Sequence, residues 1–570
     1  MFDYEVKAFP WGKVAFARYE QMTDEGRSLK SSVFDYAIFA ACGGAYPHPP
    51  RKLGTFPQGK ALKGVAAMQT NILQYLERTV VRCPDKVAFA NEEMGLTFSE
   101  VYNQARAIGT KLNKEGYYAK PIVVFMRKHP TTLAAFFGAI YAGCYNVPLD
   151  DEMPRHRIEL IFQTLGEGAL ICDETTQSIA SELNYKGQIF RYEDLAKGEA
   201  DDAVLADIRD KQLDIDPIYI VFTSGSTGVP KGVVACHRSV IDYVEHLCEV
   251  LKFDENSVFG NQTPLYFDAY LKEVIPTLKY GAKTVLIPKQ LFMFPIKLVE
   301  FLNEHKINTL CWVVSALTMI SSFRTFETVK PEYLRTIAFA SEVFPIKQFK
   351  LWRAALPNAR FINLYGPTET TGICCYYEVD REFSEDETLP VGRPFKNTQI
   401  ILLDENNQVP PVGQQGEICV RGTRLTLGYY CNPEKTSEAF VQNPLNNLYP
   451  ELIYRTGDLG RWNDRGELEF AGRKDYQIKH MGHRIELGEI EVIVNMHPQV
   501  RSACCIFDNE KKKIVLFYTG DIPVAELTAY IKSKLPRYMI PNVTKQLDEL
   551  PYTPNGKIDR NGLKSLYAGK

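Results

Sequence analysis

Apolar residues recur at helical spacing in NILQYLERTVVRC (71–83), bunch into the short run KVAFA, and return to helical spacing in LTFSEVYNQARAIGTKLNKEG before a second apolar run, PIVVFM. This alternation predicts an amphipathic helix, a strand, a capped helix and another strand, the signature of an α/β sheet. The pattern continues through IYIVF (218–222), KTVLIP (283–288), INTLCWVV (307–314), LRTIAFA (334–340) and ARFINLYG (359–366), each predicted to be a buried and largely parallel strand. Residues 131–149 carry 19 positions without a charge, about what a bilayer requires. Gly138, Gly143, Asn146 and Pro148 interrupt them, which predicts a buried helix turning at Gly143 into a strand and no membrane insertion.

After Pro390 the texture becomes hairpin-like, as in NTQIILLDENNQVPPVGQQGEICVRG, and a small β-rich part is expected there. A charged, turn-forming step at GRKD (472–475) marks a boundary, beyond which HRIELGEIEVIVNMHPQV, KIVLFYTG and VAELTAYIKSKL read as α-β-α. The expected organisation is an N-terminal extension of unassigned role over 1–70, a large domain over 71–472 and a small C-terminal domain over 473–570.

Composition narrows the function. The 570 residues hold 45% hydrophobic and 24% charged positions, an ordinary globular balance. Lys and Arg number 66 against 69 acids, a formal charge of -3 that gives no footprint for nucleic acid. The 13 cysteines are odd in number and form no C-x-x-C pair, so neither a disulfide framework nor a zinc knuckle is expected and a reducing cytoplasm is the simplest setting. The opening MFDYEVKAFPWGK has acids where a secretion signal needs basic residues.

The strand IYIVF runs straight into a loop rich in Gly, Ser and Thr, TSGSTGVPKG (223–232). Glycines 225, 228 and 232 free backbone N–H groups for an anion, the hydroxyls of Thr223, Ser224, Ser226 and Thr227 add donors, and Lys231 adds charge. Pro230 before the lysine and Gly232 after it break the Walker pattern, so kinase and P-loop NTPase readings lose support. With LTFSEV (96–101), YAGCYNVPLD (141–150), YFDAYLKEV (266–274), NLYGPTETT (363–371), GEICVRGTRLTLGYY (416–430), YRTGDLGRW (454–462), GRKDYQIKHMGHRIELGEIE (472–491) and LPYTPNGKIDR (550–560), this loop resembles the adenylate-forming superfamily. The pieces stand in that superfamily's order, and the amino-acid adenylation domains of nonribosomal peptide synthetases resemble the chain most.

The resemblance implies a large adenylate-forming domain of two α/β sheet subdomains plus a small β-rich subdomain, followed by a small mobile α+β C-terminal domain. It implies ATP and Mg2+ as cofactors. By resemblance Lys557 is the catalytic lysine, Thr368 contacts phosphate and Glu369 holds the magnesium ion. Tyr365 lies against the adenine and Asn363 near its edge. Asp458 and Arg473 contact the ribose, Phe470 stands where a tyrosine is frequent, and Asp475 is the hinge.

Asp268, beside Ala269, matches the aspartate that pairs with an α-ammonium. Lys272, four residues on, either salt-bridges Asp268 or lines the side-chain pocket, and in the second case its charge calls for an acidic substrate such as glutamate or aspartate. Cys311, Ile337, Phe339, Leu364, Gly372 and Ile373 align with the rest of that lining and are mostly apolar. The family passes its acyl group to a phosphopantetheine thiol, so a peptidyl or acyl carrier protein is the expected partner. The sequence contains no G-G-x-S carrier motif, which places the acceptor elsewhere or makes this a piece of a larger synthetase.

The loop Lys479–Gly482 is implied to swing toward the thiol tunnel, although on its own it reads as a solvated basic turn. His237, His480 and His483 read as packing or surface residues, because an ionised carboxylate needs no general base. A D-alanine carrier-protein ligase or an acyl-CoA synthetase remains an alternative within the same class. A catalytically idle nucleotide-binding module is disfavoured by the presence together of Lys231, Glu369, Asp458 and Lys557.

Overall fold

The helices and parallel strands predicted for the first half build two sheets facing one apolar layer. A computed structural model describes residues 68–225, 228–552 and 558–568, all within a compact unit spanning Met68–Lys570. One sheet has six strands in the order Gln188–Arg191, Ala169–Cys172, Pro121–Phe125, Tyr145–Leu149, Pro217–Thr223 and Lys231–Cys236. All neighbours in it run parallel except the last pair. The second has nine strands. Its centre, from Arg360–Tyr365 through Thr336–Ala340, Thr309–Val313, Val258–Asn261 and Lys283–Leu286 to Val87–Ala90, is parallel.

The main core lies between these sheets, where helices Phe98–Lys114, Pro130–Tyr141, His237–Leu251 and Leu271–Tyr280 contribute Ile108, Phe136, Tyr243 and Val274. The uncharged stretch behaves as expected: helix Pro130–Tyr141 ends at Gly143 (φ 72°) and leads into the buried strand Tyr145–Leu149. Gly138 is there for close approach rather than for a break. A Cβ on it would sit 2.5 Å from the Ile108 side chain, and one on Gly109 would sit 2.5 Å from Tyr141. Among the described residues no helix is long and apolar enough to cross a membrane.

The hairpin texture after Pro390 becomes a five-stranded sheet that includes Thr398–Leu403, Gly416–Gly422, Leu452–Trp462 and Leu468–Arg473. Beyond it, the hairpin Gln477–His480 and His483–Glu486 feeds helix Leu487–Asn495 and a three-stranded sheet of Val500–Asp508, Lys513–Gly520 and Val543–Gln546. The α-β-α reading of this region missed two of those strands. Val500–Asp508 follows the helix after a short turn, and Val543–Gln546 is short, polar and only partly buried, so it gives little periodic signal.

The Gly/Ser/Thr-rich loop lies in the six-stranded sheet. It joins Pro217–Thr223 to the antiparallel Lys231–Cys236 and is therefore a hairpin loop, the chain returning as a strand and not as a helix.

Helix Phe98–Lys114 begins with a reciprocal cap: Thr97 Oγ1 accepts from the Glu100 N–H at 3.2 Å, and Glu100 Oε2 accepts from the Thr97 N–H at 2.7 Å. Thr97→Ala is expected to cost about 1 kcal/mol, read as a lower urea midpoint.

Candidate functional site

Four segments meet at one end of the parallel strands: the loop after Thr223, the turn after Tyr365, the strand carrying Asp458, and the hairpin around Lys479–Arg484. The loop's side chains and backbone are held by the last of these. Ser224 Oγ donates to the Arg484 carbonyl at 2.9 Å, and the Gly225 N–H donates to Glu489 Oε2 at 3.2 Å. A Cβ on Gly228 (φ 82°) would come 2.9 Å from Val492. The Lys231 ammonium is 4.0 Å from Glu486 Oε1 and lies over the Tyr429 ring. Burial, and then the nearby Arg484, lower its proton affinity. Ser226, Thr227 and Lys557 lie outside the described residues.

In the turn after Arg360–Tyr365, Tyr365 donates its hydroxyl to Asp458 Oδ2 at 2.6 Å, and Asp458 is also paired with Arg473. Arg473 forks onto Asp475 with two contacts of 2.7 Å, so one guanidinium joins Asp458 to Asp475. Asn363 donates to the Pro390 carbonyl at 2.8 Å. The Lys479 ammonium lies over both the Tyr365 ring, at 5.1 Å, and the Phe470 ring, at 5.8 Å, and is 3.9 Å from Asp458.

Glu369 is shut off from water. Its carboxylate accepts from Arg484 at 2.7 and 2.9 Å and from the Tyr429 hydroxyl at 2.8 Å. Burial alone would push its pKa up, but the positive charges of Arg484 and Lys231 outweigh that and hold it down at about 2.

Asp268 opens a short 3-10 turn, Asp268–Tyr270, that also carries Ala269. Burial raises its carboxyl to about 6, against the opposing effects of a hydrogen bond with Thr368 and the charge of Lys272. Lys272 is 3% exposed and, among the described residues, forms no ion pair. Of the two alternatives for Lys272, the salt bridge with Asp268 is therefore not made.

The lining positions divide by strand alternation. Cys311 pairs with Ala338, and Ala340 pairs with Leu364, on the sheet face that packs with Tyr243 and Ile373. Ile337 and Phe339 point to the opposite face, where Phe339 packs on Phe344 and Phe361 joins the same cluster. The expected lining positions do not share one face: Ile337 and Phe339 lie opposite Cys311 and Leu364, and it is Ala338 and Ala340 that share the face of that pair. Gly372 (φ 88°) lies against the Tyr243 ring.

The basic turn at Lys479–Gly482 is part of the site and not a solvated connection. The Gly482 N–H donates to Glu342 at 3.3 Å, and a Cβ there would strike Val313 at 2.5 Å. His483 stacks on Tyr538 at 3.8 Å and 3°. His480 packs edge-on against Phe507, and His237 is buried and accepts from the Ile72 N–H at 3.2 Å, so the histidines are packing groups. Sequence reasoning missed Arg484, Glu486, Glu489, Arg157 and Tyr429. The first three belong to the run HRIELGEIE, where charges read as the outer face of a helix.

The Glu369 oxygens are hard and ionised, which suits a magnesium ion taking its other ligands from water and phosphate. In this arrangement the same oxygens hold Arg484, so metal and guanidinium exclude each other. Among the described residues no group of three or more His, Cys, Asp or Glu is placed to hold a metal.

A family model described as "AMP-binding enzyme" matches residues 76–430, and one described as "AMP-binding enzyme C-terminal domain" matches 489–557. The chain belongs to the AMP-binding enzyme family. This AMP-binding enzyme is 31% identical over 504 residues to surfactin synthase subunit 1 of Bacillus subtilis (strain 168), covering 86% of the chain and 14% of that protein. It is 30% identical to tyrocidine synthase 1 of Brevibacillus parabrevis over 87% of the chain and 45% of that protein. It therefore spans less than half the length of either relative.

Among solved structures, an NRPS protein containing adenylation and PCP domains bound to a vinylsulfonamide inhibitor superposes with a TM-score of 0.76 at 22% identity, over 87% of this chain and 84% of that one. An artificially fused adenylation-PCP didomain from Klebsiella oxytoca, NpsA-ThdA, gives 0.73 at 20% identity, over 85% and 95%. The α/β architecture with a small C-terminal part is thus the adenylate-forming fold.

Phe339→Ala empties an aromatic cluster on the far face of the sheet. It is expected to cost about 3–5 kcal/mol of stability, seen as a lower melting temperature, with AMP affinity unchanged in a calorimetric titration.

Proposed function

We propose that the protein activates an amino acid with ATP and passes the acyl group to the phosphopantetheine thiol of a carrier protein. The observation that carries this reading is the convergence of Lys231, Tyr365, Glu369 and Asp458 on one site, with Asp268 near enough for Thr368 and Lys272 to oppose the effect of its burial. In the first step the substrate carboxylate oxygen bonds to the α-phosphorus of ATP and the bond to the β-phosphate oxygen breaks, releasing pyrophosphate. In the second the thiol sulfur bonds to the acyl carbon, the thiol loses its proton, and AMP leaves.

The residues divide the work. Tyr365 offers a flat face to adenine, Asp458 and Arg473 hold the ribose hydroxyls, and the loop Thr223–Gly228 with Lys231 cradles phosphate. Thr368 donates to the α-phosphate, and Glu369 would hold the magnesium ion, which supplies charge neutralisation on the phosphates. Lys557 brings a cation to the meeting point of two anions. Division of the chain at 472/473, with Asp475 as hinge, lets Lys557 and the Lys479–Arg484 hairpin take turns at the site.

Charge balance supports an acidic substrate. Lys128, half-buried with its ammonium on three backbone carbonyls, and the buried Glu273 carry opposite charges when ionised, and burial moves both to about 7. Asp268 and Lys272 cancel while the pocket lacks substrate. An α-ammonium on Asp268 then leaves one excess positive charge at Lys272, which a side-chain carboxylate neutralises.

Lys557→Ala is expected to slow adenylate formation about 10²–10³-fold; AMP esters accumulating at the parent's speed would refute its role. A pyrophosphate-exchange panel should favour glutamate or aspartate, and Lys272→Ala should erase that preference. Equal responses to Glu, Gln and Leu in the parent would rule out the acidic pocket. Because the α-ammonium needs an ionised Asp268, KM for the amino acid should rise about tenfold per pH unit below about 6, and Asp268→Asn should raise KM and flatten that dependence.

A further inference from the structure

Helix Leu271–Tyr280 opens with two buried charged residues side by side, Lys272 and Glu273. Asn261, the last residue of strand Val258–Asn261, donates its Nδ2 to Glu273 Oε2 at 3.0 Å and so fixes the carboxyl's orientation. The other oxygen, Oε1, is sealed from water and has no hydrogen-bond partner among the described residues. Such an oxygen calls for a partner that the folded chain does not itself supply. Glu273 shares its surroundings with Lys272: the charges of both act on the Cys311 thiol, with opposite sign, and Glu273 also acts on the Tyr243 hydroxyl. Under the reading proposed above, on which this inference rests, the space beside Lys272 and Cys311 receives the substrate side chain.

We propose that the Glu273 carboxyl reads the substrate side chain together with Lys272, admitting a carboxylate while it carries its proton and a carboxamide once it has lost it. The Lys272 ammonium can only donate. A side-chain carboxylate has two acceptor oxygens; one takes Lys272, and the second needs another donor, which the Glu273 O–H supplies. A carboxamide has one acceptor and one donor; its oxygen takes Lys272, and its N–H is accepted by the ionised Oε1. The pair thus selects flat acid or amide head groups over apolar ones, and one proton decides between the two.

That decision falls near neutral pH. Burial raises the Glu273 carboxyl, and the charge of Lys272, the Asn261 hydrogen bond and the charge of Lys128 oppose it, leaving it at about 7. The acid form of the pocket therefore prevails below that pH and the amide form above it. No other group facing Glu273 offers the same choice. Cys311 and Tyr243 are pushed well up by burial and keep their protons. Lys128 also sits at about 7, but its ammonium donates to the carbonyls of Asn261, Gln262 and Ile287 at 2.8, 3.1 and 3.1 Å.

The test is amino-acid-dependent pyrophosphate exchange by the full chain, with kcat/KM for glutamate and for glutamine each divided by that for leucine, so that titration of Asp268 and of the nucleotide site cancels. From about pH 6 to about pH 8 the glutamate ratio should fall about tenfold and the glutamine ratio should rise about tenfold. Glu273→Met removes both oxygens at nearly constant length; both ratios should then become flat with pH, and the glutamine ratio at the upper pH should drop about tenfold. Simple repulsion between an acidic substrate and a charge at position 273 predicts the fall for glutamate but nothing for neutral glutamine, so the amide measurements separate the two. A glutamine ratio that stays within about twofold across the range, or within about twofold of the parent in the folded variant, overturns the proposal. If Glu273→Met does not fold, the parent's glutamine ratio decides alone. A preference for glutamate that stands beside a flat glutamine ratio overturns this inference and leaves the Lys272 pocket intact, whereas neither acid nor amide exceeding leucine at any pH overturns both.

Discussion

A carboxylate that stays ionised when sealed from water needs positive partners, and Glu369 is such a carboxylate. Much of the site's construction follows from that requirement. Lys231 sits at the start of the strand beside it, Tyr429 points a hydroxyl at it, and the hairpin of the C-terminal part brings Arg484 across to it. The guanidinium comes from the hairpin beyond Asp475 and not from the sheet that carries Glu369.

The two central sheets make the arrangement precise. Their parallel strands deliver the Thr223 loop, the Tyr365 turn and the Asn261–Glu273 pair to the same end of the core. The helix layer between them is thin because Gly109 and Gly138 let two helices touch backbone to side chain. Ala338 and Ala340 are the small residues on the sheet face shared with Cys311 and Leu364, while the bulk of Ile337 and Phe339 fills the opposite layer.

Much of this was legible in the chain. Short apolar runs separated by helical spacing marked the parallel strands, and the ordered motifs placed the phosphate loop, the Tyr365 turn and Asp458 in one site. What escaped was information carried by register and by long-range contact. A strand pattern such as TIAFA is apolar on both faces, so it does not tell which alternate positions look into a pocket, and Ile337 and Phe339 were assigned one residue out of phase. Arg484, Glu486 and Glu489 look like ordinary surface charges until the hairpin is folded back onto residues more than a hundred positions away. Lys272 stayed ambiguous because helical spacing to Asp268 does not fix where a long side chain ends; the turn at Asp268–Tyr270 is 3-10 and shifts the two apart.

The hairpin character of the phosphate loop has a consequence of its own. A strand that turns directly into a helix holds anions with a macrodipole at its back. Here the return segment is Lys231–Cys236, an antiparallel strand with almost no net dipole. Retention of a polyanion therefore falls to a few backbone donors and one lysine, whose attraction is screened by ordinary salt. Such a cradle is suited to letting go.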